Sequence, residues 1–203
     1  MKLRLTTLLA VLLLLGAGTA CGDQGDEAQR DSDEAARADK SAPDGIDQGR
    51  KRDGDLSTDG LNAETLDLND DDEPDQWTFK SGDGPVRIER DMNFDGKIDL
   101  WQYFDAEGDV VEEEMDLDLD GRVDVVAYYK DGVVTRKAMS INFDDKFTIV
   151  KFYNKDGQLL RVERDQNADG RADVFEYYNS DGQRERIGWD KTGDGVPDEF
   201  DNL

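Results

Sequence analysis

Histidine is missing from this chain, and cysteine occurs once, at Cys21. Without histidine, the commonest general base and the usual zinc ligand are gone. A single thiol excludes an internal disulfide and thiolate metal centres. Basic side chains are scarce: 25 Lys and Arg stand against 50 Asp and Glu, for a net charge of -25. Such a chain repels nucleic acid and anionic membrane surfaces. It also repels itself, so a compact state needs counter-charge. Nothing reads as a helix of useful length.

What is present begins with an address. Lys2 and Arg4 precede an apolar run from Leu8 to Ala20, which ends at Cys21. That order is a secretory signal peptide's, and the run is shorter than the roughly 20 apolar residues of a membrane span. Gly18-Thr19-Ala20-Cys21 resembles the bacterial lipobox, whose cysteine takes a diacylglycerol, although Gly18 stands where that family usually has leucine. Small Gly18 and Ala20 also suit ordinary signal cleavage at the same bond. The resemblance implies a signal peptide over residues 1–20, a lipid on Cys21 and a place in the bacterial envelope. Gly22, where an inner-membrane retention signal often has Asp, points towards the outer membrane. Losing Lys2 and Arg4 takes the net charge from -25 to -27. Residues 21–62 hold almost no large apolar side chain beyond Ile46, Leu56 and Leu61. They are expected to be a disordered acidic linker.

Residues 63–203 carry a repeat. Asp91, Asn93, Asp95, Gly96 and Asp99 recur as Asp116, Asp118, Asp120, Gly121 and Asp124. They recur again as Asp165, Asn167, Asp169, Gly170 and Asp173, and as Asp190, Thr192, Asp194, Gly195 and Asp198. A fifth copy, Asp67, Asn69, Asp71 and Asp75, has Asp72 for the glycine; a sixth, Ser140 to Thr148, is degraded. The copies start at 67, 91, 116, 140, 165 and 190, spaced by 24, 25, 24, 25 and 25. So even a period means one supersecondary unit in tandem. Between the loops come an aromatic, β-branched segment such as Val174–Tyr178, a glycine turn, and a second segment. That is a hairpin signature. The expected fold is all-β, a meandering antiparallel sheet with the acidic loops along one edge.

Alternation places Trp77 and Phe79, Trp101 and Tyr103, Val126 and Tyr128, Val150 and Phe152, and Phe175 and Tyr177 on one face. Val86, Ile88, Leu160 and Val162 are expected there too. Arg87, Arg136, Arg161 and Arg186 then fall on the opposite face, laddered with glutamates. The strand-end Tyr129, Tyr153 and Tyr178 point away from the aromatic row.

An Asp-x-Asn/Asp-x-Asp-Gly-x-apolar-Asp loop suits Ca²⁺, which takes six to eight oxygens at roughly 2.3–2.6 Å. The first, third and fifth side chains converge where the chain curls. The glycine permits the positive φ of that curl. The ninth residue reaches the ion directly or through water, and the apolar eighth, such as Ile98 or Val123, pins the loop to the core. The loops resemble the EF-hand calcium loop and the dockerin-like and thrombospondin-type-3 acidic repeats. They depart from the EF-hand at its twelfth position, where Thr78, Gln102, Ala127, Lys151, Glu176 and Asp201 stand. Strands also replace its helices, so a helix-pair switch is excluded and weak sites are expected. The degraded copy is expected to be a turn held without metal. The whole unit also resembles repeat lipoproteins of unknown role from environmental bacteria.

The expected function is a calcium-binding, membrane-anchored structural or adhesive surface lipoprotein. Its partners would be the membrane, reached through the lipid, and envelope proteins or polysaccharide. An alternative is a carbohydrate-binding module using the strand-end tyrosines. A metal-dependent hydrolase is disfavoured, because no repeat is singled out by special residues.

Overall fold

The computed structural model describes Thr58 and residues 60–203. The signal segment, Cys21 and the linker as far as residue 57 lie outside the described residues. Twelve strands follow one another: β1 (Asn62–Leu66), β2 (Gln76–Ser81), β3 (Gly84–Arg90), β4 (Leu100–Phe104), β5 (Val110–Met115) and β6 (Val125–Lys130). Then come β7 (Val133–Met139), β8 (Ile149–Tyr153), β9 (Leu159–Arg164), β10 (Val174–Tyr178), β11 (Arg184–Trp189) and β12 (Glu199–Asn202). All lie in one antiparallel sheet whose spatial order is the sequence order. No helix among the described residues is long and apolar enough to cross a membrane.

The links between strands alternate. Nine-residue acidic loops join β1 to β2, β3 to β4, and so on to β11 and β12. Tight turns join the others; the Asp131-Gly132 turn has φ of 52° and 76°, the paired positive values of a type I′ hairpin. The loops therefore line one edge of the sheet and the turns line the other. Strand pairing continues into the loops: Asp116 N–H donates to the Asp99 carbonyl at 2.8 Å, and Asp190 to Asp173 at 3.0 Å.

The face assignment of the second strands needs correction. Each hairpin carries a β-bulge, where the pairing shifts between Phe79 and Lys80, Tyr103 and Phe104, Tyr128 and Tyr129, Phe152 and Tyr153, and Tyr177 and Tyr178. Lys80 pairs with Pro85 but Phe79 pairs with Arg87, so Val86 is the extra residue. An uninterrupted ladder would put Val86 opposite Phe79 and Ile88 opposite Trp77. One inserted residue exchanges the faces of everything beyond it. Arg87 and Glu89 therefore share the aromatic face, and Ile88 and Val162 lie on the other, paired with Thr78 and Lys151.

The aromatic face is a row of rings alternating with charge. Arg87 lies 5.7 and 5.8 Å from the ring centroids of Phe79 and Tyr103. Arg161 lies 4.3 Å from Phe152, and Arg186 4.3 and 4.7 Å from Tyr177 and Phe200. Arg161 also pairs with Glu163 at 2.9 Å, and Arg87 with Glu89. Beside this row lies the apolar core of Val126, Ala138, Phe147 and Val150, with Val123, Tyr128 and Phe152 against it. Phe147 and Val123 are eighth-position loop residues, so the loops fold back over the aromatic face. Burying Phe147 contributes roughly 1.5–3 kcal/mol.

Candidate metal centres

Each loop is organised first by its own backbone. The opening aspartate accepts at least two N–H groups that a tight curl turns inward. Asp91 takes those of Phe94 and Gly96 at 2.6 and 2.7 Å, and Asp116 those of Leu119 and Gly121 at 2.9 and 2.7 Å. Asp67 takes Asp70 and Asp72 at 2.7 and 2.9 Å. Asp165 takes Asp169 and Gly170 at 3.3 and 2.8 Å, and Asp190 takes Gly193 and Gly195, both at 2.6 Å. Burial pushes the Asp190 carboxyl up, but these N–H groups outweigh it and hold the carboxyl below its usual range.

The third residue accepts from the fifth. Asn69, Asn93, Asp118 and Asn167 take the N–H of Asp71, Asp95, Asp120 and Asp169 at 2.9, 3.1, 3.2 and 2.8 Å. The Thr192 hydroxyl instead donates to Asp190 Oδ1 at 3.3 Å. The fifth residue accepts from the seventh in turn: Asp71, Asp95, Asp120, Asp169 and Asp194 bind the next N–H but one at 2.8–3.0 Å.

The ninth residue sits beneath the loop. Asp75, Asp99, Asp124, Asp173 and Asp198 each use one oxygen to accept the second-position N–H at 2.6–2.8 Å. Asp91, Asp99, Asp116 and Asp124 are each no more than 2% exposed. Burial pushes the Asp99 and Asp124 carboxyls up. The charges of Asp91 and Asp116 add to it at Asp99, and those of Asp118 and Asp116 at Asp124. Backbone N–H groups offset part of the rise at each.

In the third loop, carboxylate oxygens of Asp116, Asp118 and Asp120 all lie within 4.8 Å of one another. Oxygens sharing one ion at 2.3–2.6 Å lie within about 5 Å of each other, so these three fit a single divalent cation. This loop has carboxylates at its first, third and fifth positions; the others offer Asn or Thr at the third. Counter-charge is already close: Arg122 pairs with Asp120 and, at 3.0 Å, with Asp145 of the next loop.

Two features were not read from the sequence. The fourth position is left-handed in every loop: Asp70, Phe94, Leu119, Phe143, Ala168 and Gly193 have φ between 55° and 75°. Asp70 and Gly193, residue types that tolerate this conformation, were its signal. The seventh position ties loop to loop. Arg122, Lys146 and Arg171 donate to the carbonyls of Phe143, Ala168 and Gly193 at 3.3, 3.5 and 2.5 Å.

The degraded loop keeps the shape with fewer charges. Ser140 Oγ accepts the Asp144 N–H at 3.3 Å, and φ stays positive at Phe143 and Asp145. The strand-end tyrosines are half-buried. The Tyr129 and Tyr178 hydroxyls donate to Glu113 and Glu176 at 3.4 and 3.2 Å. They form no row of exposed rings.

No family model matches the chain, and no curated protein matches it. Among solved structures, the accessory secretory proteins 1, 2 and 3 of Streptococcus pneumoniae align at TM-score 0.40 and 13% identity. That match covers 62% of this chain and 22% of the other. TarM aligns at TM-score 0.39 and 16% identity over 51% of this chain and 19% of its own. The GtfA/B complex bound to UDP and GlcNAc aligns at 0.29 and 12% over 73% and 28%. The chain thus spans less than a third of each of these, and likeness at this level carries no functional argument.

Proposed function

We propose that the chain is a non-catalytic, calcium-binding array of the bacterial envelope, anchored through a lipid on Cys21. The observation that carries the metal reading is the convergence of Asp116, Asp118 and Asp120. Three like charges held this close repel one another, and a hard divalent ion reverses the sign of that interaction. Ca²⁺, which accepts irregular coordination, suits this all-oxygen set better than Mg²⁺, which demands near-ideal octahedral geometry. Asn69, Asn93, Asn167 and Thr192 would supply neutral oxygens in the other loops. With few carboxylates and Arg122 competing for Asp120, affinity falls in the weak extracellular range, about 10⁻⁴–10⁻³ M. Occupied loops stiffen the edge of the sheet, and the linker sets the array away from the membrane.

Calorimetric titration of the mature chain with CaCl₂ tests this, with MgCl₂ as control. Saturable calcium binding that weakens in Asp120→Asn is the expected result. No binding heat, together with near-UV dichroism indifferent to chelator, overturns it.

A further inference from the structure

Apolar side chains stand out of the acidic edge, singly at Leu68 and Val196 in the outermost loops and as six in the three loops between β3 and β8. Met92, Phe94, Leu117, Leu119, Ile141 and Phe143 occupy the second and fourth positions of three successive loops and are 37–53% exposed. Successive loops are two strand spacings apart, roughly 10 Å, so the six line up as one stripe along three neighbouring loops. Two costs attend it. Large side chains remain in water, and at Phe94, Leu119 and Phe143 the backbone is held at φ of 64°, 66° and 55°, a conformation that disfavours bulky residues. The loop itself does not require them: the same fourth position holds Asp70, Ala168 and Gly193 in the other copies, at similar φ. Half-exposed large side chains and positive φ at bulky residues, recurring in three successive loops, mark a surface used elsewhere.

We propose that this stripe docks a basic, amphipathic polypeptide segment. The charge around it selects the occupant. The three loops carry nine aspartates, of which Asp95, Asp118, Asp120, Asp144 and Asp145 are exposed, against Lys97, Arg122 and Lys146, and Arg122 is already engaged by Asp120 and Asp145. Carboxylates bordering an apolar strip complement lysine or arginine beside apolar anchors, and they repel an anionic lipid surface. A second copy of so acidic an edge is disfavoured for the same reason. Second- and fourth-position side chains supply no oxygen ligand, so the stripe forms without calcium; ions held in the loops would reduce the negative charge that selects a basic partner, and the test is therefore run in chelator.

The test uses the mature chain in chelator and a fluorescein-labelled helical peptide with one leucine and one lysine face, read by anisotropy. The variant Phe94→Asn, Leu119→Asn, Phe143→Asn keeps a residue that tolerates positive φ, and far-UV dichroism checks its fold. Saturable binding, at least about tenfold weaker in the variant and absent when the peptide's lysines become glutamate, is expected. Equal affinity for variant and parent, equal binding of the glutamate peptide, or no binding overturns it. So does self-association in sedimentation, or pelleting with phosphatidylcholine vesicles, that the variant abolishes; a second copy or lipid would then be the occupant. A chain that ignores calcium yet binds the peptide keeps this inference and discards the metal reading.

Discussion

Gly188 shows how tightly one residue is constrained. It is buried on the aromatic face, and a Cβ built there falls 2.8 Å from Pro197 Cβ and 2.9 Å from Phe200 Cε1. The proline ring belongs to the loop folded over it and cannot rotate away. Gly188→Ala should cost about 1–3 kcal/mol, read as a lower urea midpoint; an unchanged midpoint would mean the loop lifts freely. The buried carboxyls give a pH signature. Asp99 and Asp124 have folded values raised above the ordinary 3.8. Between those values the folded state binds more protons than the unfolded state, so stability falls as pH rises through that window. In chelator, acidification towards the ordinary value should therefore stabilise the protein. Asp99→Asn with Asp124→Asn should flatten the profile, since asparagine keeps an acceptor for the second-position N–H without the charge. Glu176 works in the other direction. Burial raises its value, but Arg164, Arg184 and the Tyr178 hydroxyl outweigh it and lower it from 4.5, so its contribution is lost as pH falls through the folded value.

At the scale of the element, the hairpin is where sequence reading succeeds and then fails. The acidic spacing gives the loop boundaries to the residue: 67–75, 91–99 and their successors are the gaps between strands. The aromatic segments are strands because alternation and β-branching leave little else. The bulge left no such trace. Its extra residue is Val86, Val111, Thr135, Leu160 or Glu185 by copy, ordinary strand residues for the most part and none of them a glycine that would mark a bulge. Hydrophobicity alone therefore matched Val to Phe and sent arginine to the wrong face. The loops are similar: oxygen-bearing positions were legible, but hydrogen bonding to the loop's own N–H groups uses those same oxygens, and spacing cannot display that. The bulge also makes the arginines structural. Arg161 stacks on Phe152 with its side chain 6% exposed, beside Glu163 at 15%. Arg161→Met should cost about 1–3 kcal/mol, because it leaves the half-buried Glu163 carboxylate without this cation. Adding Glu163→Met should restore much of that loss in urea denaturation. If the double variant is as damaged as the single one, the stacked guanidinium, and not the charge pair, holds the face.

For the whole molecule, burial is graded along the array. The apolar core gathers around β6, β7 and β8, whereas every residue of β1 and β12 is exposed. Each unit leans on its neighbours, so local opening should begin at the outer strands and reach the centre last. Amide exchange should follow that order, with Val126 and Val150 slowest and Ala63 and Phe200 fastest. Uniform protection would show a single cooperative block.

Strand order matching chain order has a mechanical consequence. Tension applied at the two ends of the array meets the hydrogen bonds one ladder at a time, as a zipper does, and never a whole sheet in shear. Each surrendered repeat of 24 or 25 residues lengthens the chain by roughly 80 Å. The molecule gives way gradually under load, releasing slack from its rim while the middle stays folded.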